Sequence, residues 1–190
     1  KEPVHMPVFN FKSGLREWKE NAVLLDDDHI LIVEGIHGLN PKTSADLPEE
    51  AKFRIYINAL THLNLDEHNR IPTSDYRLIR RIARDYQFRG WSAQNTINFW
   101  RNVKQGEDRN IYPYQEEADA IFNSSMVYEM SILKKIVIPL LDKVHPQEEQ
   151  YLEANRLKKL LAYFVDGSEA AVPRSSILAE FIGNSVFDVS

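Results

Sequence analysis

Hydrophobic and polar positions follow two rhythms along this chain, and the change comes at Thr73. Before it, apolar residues come in short runs. "HILIVEGI" (29–36) is unbroken aliphatic up to Glu34, without amphipathic alternation, and predicts a central parallel strand covered on both faces. "FRIYIN" (53–58) predicts a second strand, and the Pro, Gly, Asn and Ser residues of "HGLNPKTSADLPEEAK" between them predict a loop with one short helix. From Thr73 the apolar period becomes helical. "TSDYRLIRRIARDYQFRG" opens on a Thr/Ser cap with an acidic first turn and closes at Gly90. Ser92 caps a following helix expected to end near Gly106, and "IYPYQEEADAIFNSS" predicts an aromatic loop leading into a short strand around 119–122. Then "VYEMSILKKIVIPLLDKV" predicts a long apolar helix kinked or interrupted at Pro139, and two further helices follow. Strands alternating with helices argue for an α/β fold.

Composition narrows the class. With 190 residues, 43% of them hydrophobic, the chain can bury one sizeable core. No apolar run approaches the roughly 18 residues that span a bilayer, and the first residues lack the apolar core of a signal peptide, so a cytoplasmic location and no membrane partner are expected. The absence of cysteine excludes disulfides, thiolate zinc sites and cysteine nucleophiles. His62 and His68 lack ligand spacing, so no histidine metal site is expected. A net charge of −5 argues against a nucleic-acid partner and requires any anion site to be a local basic cluster.

That cluster lies on the helix after Thr73. At 3.6 residues per turn, Arg77, Arg80, Arg81 and Arg84 fall within an arc of about 100°, opposite Leu78, Ile79, Ile82 and Tyr86, with Arg89 just beyond. Spacing alone allows two readings: a solvated face partly answered by Asp75 and Asp85, or an anion clamp, since guanidinium forks match phosphate oxygens in bidentate geometry.

Three blocks together, "VHMPVFNFKSGLR", "ILIVEGIHGL" and "RLIRRIARDYQFRG", resemble the uridine kinase and phosphoribulokinase group of P-loop kinases over roughly Val4 to Asp119. "EGIHGLNP", "RDYQFRGWSAQNTI", "EEADAIFNSSMVYE" and the C-terminal "SILAEFIGNSVF" resemble a bacterial nucleoside kinase subset whose kinase part follows a TGS-like segment. The resemblance implies a partial P-loop NTPase fold: a parallel sheet with flanking helices, residues 1–145 as the C-terminal part of a kinase domain and 146–190 as a helical extension. It implies ATP and Mg2+ as cofactors, with Glu34 ordering magnesium through water and Gly35 turning the backbone away. Arg81, Arg84 and Arg89 match the arginines that clamp the phosphates, and "FRGWSAQNTINFW" matches the start of a mobile lid. Phe9, Phe11 and Arg16 match the nucleoside-contacting segment, and His37 the substrate-side loop. Against the better-known uridine-cytidine enzymes, Gly14 replaces a histidine, Phe9 a tyrosine and Trp91 a lid arginine, which leaves a uracil ring fewer hydrogen-bond partners.

No stretch fits the phosphate-loop pattern G-x-x-x-x-G-K-[ST]. In the family that loop and the hydroxyl-activating aspartate precede the position of Lys1, so the chain is expected to be a fragment, inactive alone as a kinase. Two alternatives remain open from sequence: an RNA-binding or regulatory module using Phe88, Trp91 and Trp100 beside the arginines, and a related phosphoribulokinase- or pantothenate kinase-like enzyme. The C-terminal helices either cover the sheet or form a homo-oligomer contact.

Overall fold

The computed structural model describes residues 2–10 and 15–187, and the chain forms two compact units, 1–38 and 39–190. The first is built on an antiparallel hairpin, β1 (Val4–Asn10) with β2 (Leu15–Val23), whose register shifts between His5 and Pro7. Proline has no N–H to give the ladder, so a bulge there is where it costs least. Beyond the hairpin the structure departs from the sequence reading: Ile30, Leu31, Ile32 and Val33 form no strand and are 56–89% exposed. A strand exists only where a neighbour completes its ladder, and among the described residues none pairs with this run.

In the second unit the parallel pair β3 (Ile55–Asn58) and β4 (Ala120–Asn123) runs in register, Ile55 opposite Ala120 and Asn58 opposite Asn123. Between them in sequence lie α1 (Thr73–Arg89) and α2 (Ala93–Asn110), as the alternation of periods predicts. After β4 come α3 (Glu129–Leu141), α4 (Tyr151–Ala162) and the short α5 (Leu178–Ile182). Short 3-10 turns at Pro41–Ser44 and Glu49–Ala51 occupy the loop before β3.

The core joins these helices. Leu78, Ile79 and Ile82 of α1 pack with Leu133 and Val137 of α3, Leu157 and Leu161 of α4, and Leu178 of α5, all essentially fully buried. Each such side chain contributes about 1.5–3 kcal/mol of transfer free energy. Tyr86, placed on the apolar side by spacing, is instead 49% exposed, because α1 outruns the core in its last turn. There the helix ends at Gly90, whose left-handed φ of 65° suits a residue without a Cβ, and Gly90 N–H closes on the Asp85 carbonyl.

Two helix ends differ from expectation. α1 starts one residue earlier than expected, on Pro72, which has no side-chain oxygen to cap with, so Thr73 and Ser74 fall inside the helix; Asp75 is turned toward α4, where Arg156 grips both its oxygens at 2.6 and 2.8 Å. α2 runs through Gly106 to Asn110, because Glu107, 5% exposed, accepts from Arg77 across the helix pair. That tertiary pair outweighs the roughly 1 kcal/mol that a mid-helix glycine costs. Pro139 sits inside the last turn of α3, where the lost N–H removes one bond and the helix continues to Leu141.

Candidate functional site: the arginine face of α1

Every arginine on α1 meets a carboxylate, but the five meetings are of two kinds. Arg77 and Arg80 are structural. Arg77 forms a two-pronged pair with Glu107, joined by the Tyr112 hydroxyl, and stands 5.9 Å from the centre of the Trp100 ring. Arg80 grips the fully buried Glu129, donates to the Ser124 carbonyl at 2.6 Å, and lies 5.2 Å from the ring centres of Tyr76 and Phe181. Burial opposes both guanidinium charges, and the hydrogen bonds they donate to their carboxylates more than restore them, so both values end above that of a free arginine. Tyr76 donates to the same Glu129, and burial first, then the Glu129 charge, pushes its hydroxyl far up. This network ties α1 to the start of α3 and to the 124–126 segment after β4.

Arg81, Arg84 and Arg89, the three that match the family's clamp, are held differently. Asp85 is fully buried and accepts from Arg81 Nε at 2.7 Å, from Arg89 Nη1 at 2.6 Å and from the α2 hydroxyl of Thr96 at 3.2 Å. The sequence spacing i−4, i, i+4 puts both arginines over one carboxylate. Each gives it a single nitrogen. Arg81 keeps both terminal nitrogens and Arg89 keeps two of its three, and their side chains are 26% and 36% exposed. Arg84 is held by a different element, with Nη2 at 3.0 Å from Glu180 on α5, and is 50% exposed. Two guanidiniums on one buried carboxylate leave an excess positive charge with open forks, which is what a polyphosphate anion needs. The triphosphate of ATP fits this donor set.

The remaining sequence-predicted residues belong to the first unit. Glu34 and Gly35 follow the exposed aliphatic run, and Gly35 takes a φ of 152° that side chains rarely adopt. Gly38 N–H donates back to the Gly35 carbonyl at 2.9 Å, so "EGIHG" is a tight turn with His37 exposed within it. A single exposed carboxylate fits contact with Mg2+ through water, and a closed metal cage is not built here. Among the described residues no group of three or more His, Asp or Glu side chains gathers as a metal site. Phe9 and Arg16 are partners in the hairpin register, while Phe11 and Gly14 lie outside the described residues.

Sequence reasoning offered both Asp75 and Asp85 to the arginines of α1; Asp85 does answer them, whereas Asp75 is taken by Arg156 of α4. It missed Glu107, Glu129, Thr96 and Glu180 altogether. These partners lie on other elements, and no local spacing announces them. The segment read as the start of a lid is a short link, Gly90 to Ser92, then regular helix; Ser92 accepts from Asn95 N–H at 3.2 Å, and Trp91 packs edge-on to Phe99. A cavity of about 210 Å³ opens beside this link, lined by Tyr86, Trp91, Gln94 and Lys143. No helix is long and apolar enough to cross a membrane among the described residues.

Comparison with known proteins places this geometry in context. The profile of the "Phosphoribulokinase / Uridine kinase family" matches residues 2–131. Among curated proteins, a uridine kinase of Staphylococcus epidermidis is 26% identical over 121 residues, covering 63% of this chain and 50% of the relative. One from Clostridium tetani is 31% identical over 119 residues, covering 62% and 48%, and one from Lactobacillus johnsonii 29% identical with the same coverage. The chain thus spans about half the length of the curated relatives it matches. No solved structure matches it significantly.

Proposed function

The chain belongs to the phosphoribulokinase and uridine kinase family, and from that premise we propose that it is part of a cytoplasmic ATP-dependent nucleoside kinase acting on uridine or a similar nucleoside. The observation that carries the reading is the pair Arg81 and Arg89, set over one buried carboxylate with their forks open, at the positions where the family keeps its phosphate clamp. Magnesium-bound ATP supplies the γ-phosphoryl group to a sugar hydroxyl. The protein's part is positional and electrostatic. Arg81, Arg84 and Arg89 hold the phosphate oxygens and stabilise the charge that spreads over them during transfer. Glu34 orders the metal's water shell, with the Gly35 turn giving the backbone room to leave. The hairpin segment from Phe9 to Arg16 forms part of the acceptor wall, and His37 lies on the substrate side.

The curated relatives, themselves uridine kinases by name, support uridine as the first acceptor to try. The test is a coupled ADP-release assay on the intact protein as its source cell makes it, with uridine, cytidine and purine nucleosides as acceptors. ATP-dependent turnover, lost by a factor of about 10³ or more in Arg81→Gln and Arg89→Gln, is the expected result, the size being that of a charge-stabilising arginine. Absence of turnover with every acceptor overturns the reading. The 190-residue chain by itself is expected to show none, and steady turnover by it would overturn that expectation.

A further inference from the structure

We propose that Glu180 is a resident competitor for phosphate at the arginine face: its carboxylate occupies Arg84 and is displaced when polyphosphate binds, so the C-terminal helix α5 sets the anion affinity of the site. The proposal rests on the reading of Arg81, Arg84 and Arg89 as the phosphate clamp.

Three observations carry it. Arg84 is the one member of the trio that Asp85 does not hold, and its carboxylate partner comes from α5. The contact is a single nitrogen-to-oxygen approach of 3.0 Å against 2.6 and 2.7 Å for the Asp85 pairs, and Arg84 is half exposed where Asp85 is buried. It is therefore the ion pair on this face most easily exchanged for another anion. The second observation is that the helix bearing Glu180 is fixed. Leu178 and Ala179 are fully buried and Phe181 is 7% exposed, with its ring against Arg80. Gln87 of α1, with its amide oriented to satisfy both neighbours, donates to the Phe181 carbonyl at 3.1 Å and accepts from Gly183 N–H at 3.2 Å. Glu180 itself, 23% exposed at the side chain, is the polar residue this packed helix turns toward the arginines. A carboxylate anchored this way is present at high local concentration without being covalently committed, and it yields by turning its own side chain.

The third observation is charge. Arg81, Arg84 and Arg89 face two carboxylates, Asp85 and Glu180, so the trio keeps one formal positive charge in excess. Neutralising Glu180 doubles that excess and frees the most exposed fork. An exposed pair is weak, so the gain is modest, about threefold to tenfold in anion affinity, and it shrinks in high salt.

The measurement is isothermal titration of inorganic tripolyphosphate into the intact protein at low and high salt. Glu180→Gln is expected to bind about threefold to tenfold more tightly than wild type, with a steeper salt dependence. Glu180→Ala, which removes reach as well as charge, is expected to do the same. In an Arg84→Gln background the Glu180→Gln gain is expected to vanish, since the competitor then has nothing to guard. Affinity that is unchanged or weaker in both Glu180 variants, while Arg84→Gln still loses affinity, overturns the competitor and leaves the clamp standing. Affinity indifferent to Arg81→Gln, Arg84→Gln and Arg89→Gln alike overturns the clamp, and the competitor with it.

Discussion

Replacing Glu129 by glutamine removes one negative charge from the most buried ion pair in the second unit and changes little else in shape. Glu129 is 0% exposed and Arg80 only 11%, so the guanidinium left behind cannot turn to water. Breaking one side of a buried pair costs about 3–5 kcal/mol. The new amide keeps one carbonyl acceptor for Arg80 or Tyr76, which recovers about 1 kcal/mol. Its NH2 group faces either Arg80, which only donates, or the Tyr76 hydroxyl, which can accept only by turning its proton to the Met126 carbonyl, so little more is regained. The expected loss is therefore about 2–4 kcal/mol, a large fraction of the 5–15 kcal/mol that holds a typical domain. Urea unfolding followed by circular dichroism reads it as a midpoint lowered by on the order of 1 M at unchanged slope. Glu180→Gln is the internal control: Arg84 is half exposed, so the same chemical change there should move stability by no more than about 1 kcal/mol. If both variants unfold within about 1 kcal/mol of wild type, the burial argument is wrong and the Arg80 network contributes nothing net to stability.

Two glycines separate backbone from side-chain effects. Gly90→Ala has φ of 65° but open space around the added methyl, so it should cost about 1–2 kcal/mol; Gly183→Ala, at φ of 80°, puts the new Cβ 2.6 Å from the end of the Gln87 amide, which must give up its bonds to Phe181 and Gly183 to move aside, and should cost measurably more in the same melts. Leu133→Ala, fully buried at the centre of α3, should lose about 2–5 kcal/mol by urea unfolding, and a smaller loss would mean the core closes over the gap. Acid should weaken the ion pair within α4 between Glu153 and Arg156. The Arg156 hydrogen bond holds the Glu153 carboxyl below its ordinary 4.5, so this contribution is complete above about pH 4.5 and is lost as pH falls through the folded value. Thermal melts from pH 7 to pH 3 should show the stability gap between wild type and Glu153→Gln closing at the acid end.

What could be read in advance was what the chain does within one element. The apolar period of 78, 79 and 82, the stop at Gly90 and the Ser92 cap all follow from neighbours within a turn or two. That Asp85 answers part of the arginine face was legible for the same reason, being set by helical pitch, while Asp75, offered on the same ground, went to Arg156. What was not legible depends on which distant element arrives. Arg80 finds Glu129 forty-nine residues away, and Arg77 finds Glu107 thirty residues away; the sequence offers twenty-eight acidic residues to choose from. The failure at 30–33 has the same origin. Four consecutive aliphatic residues specify strand only if partners flank them, and periodicity describes the strand while remaining silent about its neighbours.

That aliphatic run has a consequence for handling the protein. Ile30 to Val33 combines high β-propensity, no charge and no proline, with backbone groups free of any ladder, which is the profile of a segment that seeds intermolecular cross-strand assembly. Directly before it stand Asp26, Asp27 and Asp28, separated from the run by His29 alone. Three consecutive carboxylates at the mouth of such a segment act as gatekeepers, because stacking copies in register would stack their charges as well. Their protection is electrostatic, so acid or concentrated salt should be the conditions under which this protein comes out of solution.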